Sequence, residues 1–214
     1  MSIDDYDYGY GDWLENLYRE FSKEVLSGGA DLYDEVIVKF TSERVQSYYV
    51  ANPKLAERSL WALSKARTLR RHHPDASLVL AVTAAEVGLN SCLLKPILHG
   101  LVHDNAMAMV IAELVPEQRN LKFRDLLFGI LQKYGGIDLQ VYKRAGITKT
   151  LWEELKEIQK LRNLVVHRAE AIATADAKKA FEIASLIIET LFPAVITKLG
   201  LRTNDKLEVL IKKP

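Results

Sequence analysis

Between Asp12 and Gly200 apolar residues return every three to four positions, as Leu14, Leu17, Phe21 and Val25 do at the start, and this period predicts helix along nearly the whole chain. Turn-forming clusters punctuate it: Ser27-Gly28-Gly29, Asn52-Pro53, His73-Pro74-Asp75 and Gly135-Gly136. Helices are expected near residues 12–27, 31–50, 54–71, 76–100, 105–114, 119–134, 150–172 and 175–199. The fold class is therefore all-α: an N-terminal helical layer over residues 1–73, an antiparallel bundle over 74–200 and a C-terminal tail over 201–214. In the second segment Val36, Ile37, Val38 and Phe40 also suit a short strand, because χ1 crowding makes such residues indifferent helix formers; helix is the preferred reading. Pro96 falls inside a helical pattern, where its missing N–H predicts a kink or restart. Leu207 to Ile211 form a run too short to classify, and no period of 20–50 residues suggests a solenoid.

Composition narrows the class without naming a function. The 214 residues are 49% hydrophobic and 27% charged, a balance that excludes disordered and collagenous chains. Lysine and arginine number 29 against 28 acidic residues, so any affinity for nucleic acid has to come from a local patch. Cys92 is the single cysteine; set among apolar neighbours in LNSCLLKPIL, it reads as a buried, inert thiol. The first residues, MSIDDYDYGYGDW, are acidic and aromatic, unlike a secretory signal, and read as a loose tail. The most apolar run, SLVLAVTAAEVGL, is interrupted by Glu86, short of the ~18 unbroken residues of a membrane span. The expected location is cytoplasmic.

The segment after Thr150 carries the chemistry. Thr150 is a suitable N-cap and Glu153, three residues on, completes a capping box. Leu155, Ile158, Leu161, Val165 and Ile172, with Ala169 between, form the expected core stripe. Outside that stripe lie Arg162, Asn163 and His167; at about 100° per residue Asn163 and His167 stand about 40° apart and Arg162 about 140° from His167. A guanidinium grips phosphate oxygens with a planar fork of donors, an imidazole exchanges protons near neutrality, and an amide one turn away orients the ring or binds an oxygen. These parts suit RNA cleavage in which the ribose 2′-hydroxyl attacks its own phosphate, a reaction that needs an acid, a base and positive charge but neither metal nor cofactor. One helix supplies one such histidine, so a two-fold homodimer would complete the set.

Arg162-Asn163-Leu164-Val165-Val166-His167 resembles the arginine, polar residue, spacer and histidine motif of HEPN domains (higher eukaryotes and prokaryotes nucleotide-binding), and AVTAAEVGLN, Ala81 to Asn90, resembles the helix that precedes it in that family. The likeness covers residues 75–199. It implies a HEPN-type bundle that dimerises through the motif helix and, in many members, a metal-independent endoribonuclease acting as a toxin, in phage defence or in RNA processing. By that resemblance Arg162 and His167 are catalytic, Asn163 assists and Glu86 supports them. It also implies an antitoxin or neighbouring-gene partner. Where some relatives carry a tyrosine open to modification, this chain has Ala169.

The same spacing recurs in Arg67-Thr68-Leu69-Arg70-Arg71-His72, just before Pro74, where cations at a helix C-terminus are explanation enough; Arg67, Arg70 and Arg71 are candidates for RNA backbone contacts. His99 and His103 stand four apart, but Gly100 between them and Pro96 before them point to a helix end capped by Asp104 more than to a metal site. No lysine follows Gly28-Gly29 or Gly135-Gly136 at phosphate-loop spacing, which counts against nucleoside triphosphate hydrolysis. Two alternatives to an RNase stay open: a non-catalytic helical dimer that binds protein or RNA, and a DNA-binding regulator, disfavoured by the near-neutral charge.

Overall fold

The computed structural model describes residues 32–102, 128–129 and 131–212, with backbone alone over 32–38. The helices expected near 12–27 and 105–114, most of that near 119–134, and His103 and Asp104 lie outside the described residues. The chain divides between Lys39 and Phe40, and Phe40–Pro214 forms the second compact unit. It is mostly helical, with two short strands among the described residues.

Helix α1, Leu32–Ala51, settles the strand-or-helix question at Val36 to Phe40 in favour of helix. Thr41, Val45 and Tyr49, four apart, are buried along one face of the turns that follow this run. Helix α2, Glu57–Leu69, is three residues shorter at its start than its pattern suggests, because residues 53–56 form a turn. It buries small residues, Ser59, Ala62 and Ala66, beside Leu63. Helix α3, Pro74–Leu101, opens on a proline whose missing N–H no turn requires, and Ser77 Oγ donates to the Ala66 carbonyl at 2.8 Å, tying α3 to α2.

Among the described residues a short π-helical turn, Leu131–Gly135, is followed by two further long helices: α4, Leu151–Arg168, and α5, Thr174–Lys198. Both α3 and α5 loosen into a π turn, Gly88–Leu94 and Leu186–Leu191, within two residues of a proline, Pro96 and Pro193. Lys95 N–H bonds to Asn90 and Phe192 N–H to Ile187, the wider ladder of a π turn. The interruption expected at Pro96 therefore takes the form of a π turn within a continuous helix, and Pro193 repeats it in α5. Pro96 has no N–H to offer the Cys92 carbonyl one turn back, and the Tyr49 hydroxyl donates to that carbonyl instead at 2.7 Å. The π turns pack against each other where a Cβ on Gly88 would lie 2.8 Å from Ile188 Cγ1, so only glycine allows this approach. By length and composition α3 and α5 could each cross a bilayer; here the larger share of each apolar window is buried inside the protein.

Side chains of α1 also close the helix ends. Arg44 Nη2 donates to the His99 and Val102 carbonyls at 3.3 and 2.9 Å, and Gln46 Nε2 to the Leu199 carbonyl at 2.6 Å. Cys92 is buried as expected, its thiol donating to the Leu55 carbonyl at 3.4 Å, and desolvation pushes its pKa up to about 12. The terminal run, left unclassified by its length, includes a paired strand. Strands β1, Leu201–Thr203, and β2, Val209–Ile211, pair antiparallel with Thr203 opposite Val209, and Val209 N–H donates to the Pro53 carbonyl at 2.9 Å. Leu201 and Val209 bury their side chains.

The segment before α4 is fastened by charge. Arg144 donates through Nε and Nη2 to both oxygens of Glu154, each at 2.8 Å, and through Nη1 to Glu182 at 3.0 Å. Glu154 is only 1% exposed, so the bidentate pair is what allows a carboxylate there; hydrogen bonding to Glu154 raises the Arg144 pKa further. Glu157 accepts from Lys149 and, at 2.7 Å, from Lys179. Replacing Arg144 with alanine leaves the buried Glu154 carboxylate only Lys179, 3.8 Å away, and urea unfolding should show a loss of about 3 kcal/mol. Glu157 titrates below the usual carboxylate range because of Lys149 and Lys179, and Glu153 does so because of the Thr150 N–H. A depressed folded-state pKa stabilises above the unfolded value and ceases to as pH falls through the folded one. The urea midpoint should accordingly hold at neutral pH and drop as pH falls below about 4.3.

Candidate functional site

Helix α4 starts as its sequence dictates. Thr150 takes an extended conformation, its Oγ1 accepts from Glu153 N–H at 3.3 Å, and Glu153 Oε2 accepts from Thr150 N–H at 2.7 Å. Leu155 and Ile158 are fully buried, but farther along the cover thins: Leu161, Leu164 and Val165 are half-buried and Val166 is 52% exposed. The last two turns project beyond the core.

The helix ends at Arg168 and not near 172. Ala169 takes the left-handed conformation, φ 52° and ψ 32°; its N–H bonds to the Val165 carbonyl, an αL closure, and Glu170 N–H reaches back to Leu164 at 3.4 Å. Ile172 therefore leaves the stripe, and its N–H donates to Asp75 Oδ1 at the start of α3 at 3.1 Å. Asp75 draws the chain away, so the apolar period outlasts the helix.

On this projecting end three of the expected residues form one hydrogen-bonded chain. Arg162 Nη2 donates to Glu86 Oε2 of α3 at 3.1 Å, and Arg162 Nη1 donates to Asn163 Oδ1 at 3.1 Å. The chain has a further member: Gln159 Nε2 donates to Glu86 Oε1 at 3.1 Å. Glu86 thus touches Arg162 directly. Gln159 was legible in principle, since it stands three residues before Arg162 on the same helical flank. His167 is exposed near the helix C-terminus, without a hydrogen-bond partner among the described residues. It stands five positions after Arg162, about 7.5 Å of axial rise and about 140° of turn, so one copy presents the two groups on different sides of the helix.

Electrostatically the centre is balanced. Arg162 keeps donors to spare at 31% side-chain exposure, but Glu86 offsets its charge. Arg168, beyond His167, pairs loosely with Glu170 at 3.7 Å. The duplicate motif on α2 is used differently: Arg67 and Arg70 lie over the Phe181 ring at 5.2 and 5.1 Å, and Arg67 also pairs with Glu189 at 3.2 Å. Two of the three candidate RNA-backbone cations thus clamp α2 to α5, while Arg71 stands exposed. His99 stacks on Tyr48, ring centroids 4.6 Å apart, and no cluster of three potential metal ligands occurs among the described residues.

Comparison of the chain with protein-family models, with curated proteins and with solved structures returned no match. A left-handed alanine costs about 1 kcal/mol relative to glycine. Ala169→Gly should therefore raise the urea midpoint, by about 0.5–1 kcal/mol in stability, without altering helix content by circular dichroism.

Proposed function

We propose that this chain is a HEPN-type, metal-independent endoribonuclease of toxin or phage-defence type that acts on RNA as a cytoplasmic homodimer. The observation that supports the reading is the uncovered end of α4. It is half apolar through Leu161, Leu164, Val165 and Val166, it holds Arg162 and Asn163 through Glu86 and Gln159, and it leaves His167 open. A two-fold pairing of that apolar flank would bring both copies of the motif to one cleft.

In such a cleft His167 of one subunit takes the proton of the 2′-hydroxyl as its oxygen bonds to phosphorus. The partner's His167 returns a proton to the departing 5′ oxygen as the P–O5′ bond breaks. Arg162 steadies the charge that grows on the phosphorane, and Asn163 holds the guanidinium or a phosphate oxygen. An antitoxin or neighbouring-gene protein would act by covering the same flank.

One observation favours a second reading. Because Glu86 already neutralises Arg162, a non-catalytic dimer that binds protein or RNA through the α4 end fits the same geometry. Incubation of RNA with purified protein in EDTA separates the two. On the RNase reading, products carry 2′,3′-cyclic phosphate and His167→Ala slows cleavage by at least about 100-fold. Equal rates for the variant and the wild type would sink it, and a stable dimer without cleavage would leave the binding module.

A further inference from the structure

Away from α4, the N-terminal end of α2 forms one wall of a cleft of about 410 Å³, a volume within the range of small-ligand sites. Lys54, Arg58 and Lys95 line it with Ser91 and the edge of Tyr48; Glu57 is the one carboxylate of the lining. The three cations outnumber that carboxylate, and none of them is in an ion pair with a described residue, unlike Arg67, Arg144, Arg162 and Lys179. Unpaired cations converging on a concave surface select an anion.

The cleft runs on into a second feature. Arg58, Trp61 and Lys65 fall within an arc of about 60° on the outer side of α2. Trp61 is 60% exposed, the indole of a large aromatic left in solvent, and both neighbouring cations are exposed too. An isolated anion would need the cleft alone, and an acidic peptide would need no aromatic platform. A base stacking on Trp61 with flanking phosphates on Arg58, Lys65 and the cleft cations uses every one of these groups.

We propose that this surface, the cleft of Lys54, Arg58 and Lys95 together with the Arg58–Trp61–Lys65 face of α2, binds single-stranded nucleic acid. Phosphodiester groups sit among the cations and a base stacks on the Trp61 indole. The strand-binding cations are then Arg58 and Lys65 on the same helix as Arg67, Lys54 in the turn before it and Lys95 on α3. The surface binds whether or not His167 cleaves, so its test is an equilibrium one.

The full chain is titrated in EDTA against fluorescein-labelled 12-mers of uridine, one 2′-O-methylated and one deoxy; neither has a free 2′-hydroxyl to attack. Trp61→Ala should weaken binding by at least about fivefold, with Trp61→Phe retaining most of it. Lys54→Ala/Arg58→Ala/Lys95→Ala should lower the slope of log affinity against log salt by about 2, near 0.7 per lost phosphate contact. In the wild type, saturating oligonucleotide should quench tryptophan emission, and Trp61→Phe should remove that quenching, a readout that needs no destabilised variant. Unchanged affinity and salt slope in the triple variant, absence of quenching, or displacement by polyglutamate at equal charge concentration would overturn the proposal. Loss of RNA cleavage in His167→Ala with binding intact bears on the α4 site alone.

Discussion

The packing of α3 against α5 at Gly88 governs the architecture. Both helices are apolar over most of their length and bury residues on more than one side, so each needs neighbours all round. Their closest approach falls where both ladders widen into π turns, and a glycine on one accepts the isoleucines of the other. Widening the ladder re-aims the side chains beyond it and leaves carbonyls without their usual donors. Tyr49, reaching from α1 to the Cys92 carbonyl, answers one of these, and Arg44 and Gln46 close the two helix ends from the same side. Helix α1 is thus as much a supplier of hydrogen bonds as of apolar surface.

Charge does different work at the two ends of α4. At its start Glu154 is buried and satisfied by a bidentate Arg144, an arrangement that fixes the preceding segment and leaves the helix no freedom there. Toward its end Arg162 and Glu86 are each about one-third exposed, and the apolar residues beside them are only partly covered. The helix is therefore rigidly founded and openly terminated, which is the geometry a contact surface needs: positions are defined by the core while the faces stay accessible.

Much of this was readable in the residues, and the misses have identifiable causes. The capping box at Thr150 and Glu153 and the start of α4 were local in origin and stand as expected. The end of α4 was not, because a tertiary hydrogen bond from Ile172 to Asp75 overrides an apolar pattern that would have continued. The strand-like run at Val36 to Phe40 is helix, continuous with the turns that bury Thr41, Val45 and Tyr49. Among the site residues, Arg162, Asn163 and Glu86 come together, whereas His167 stands apart from them within one copy. The contact of Arg67 and Arg70 with Phe181 could not be read from spacing, since that ring lies more than a hundred positions away. The run Val209 to Ile211 needed its pairing with Leu201 to Thr203 before it could be recognised as a strand.

That late strand has a consequence for how the molecule comes into being. Val209 grasps the carbonyl of Pro53, and Pro53 is part of the wall of the cationic cleft beside α2. A growing chain has made both sides of this cleft, on α2 and α3, long before the residue that latches its rim has been synthesised. The hydrogen bond that ties Pro53 to the terminal strand can form only after position 209 has emerged from the ribosome, so a nascent chain carries the charges of the site before it carries that tie.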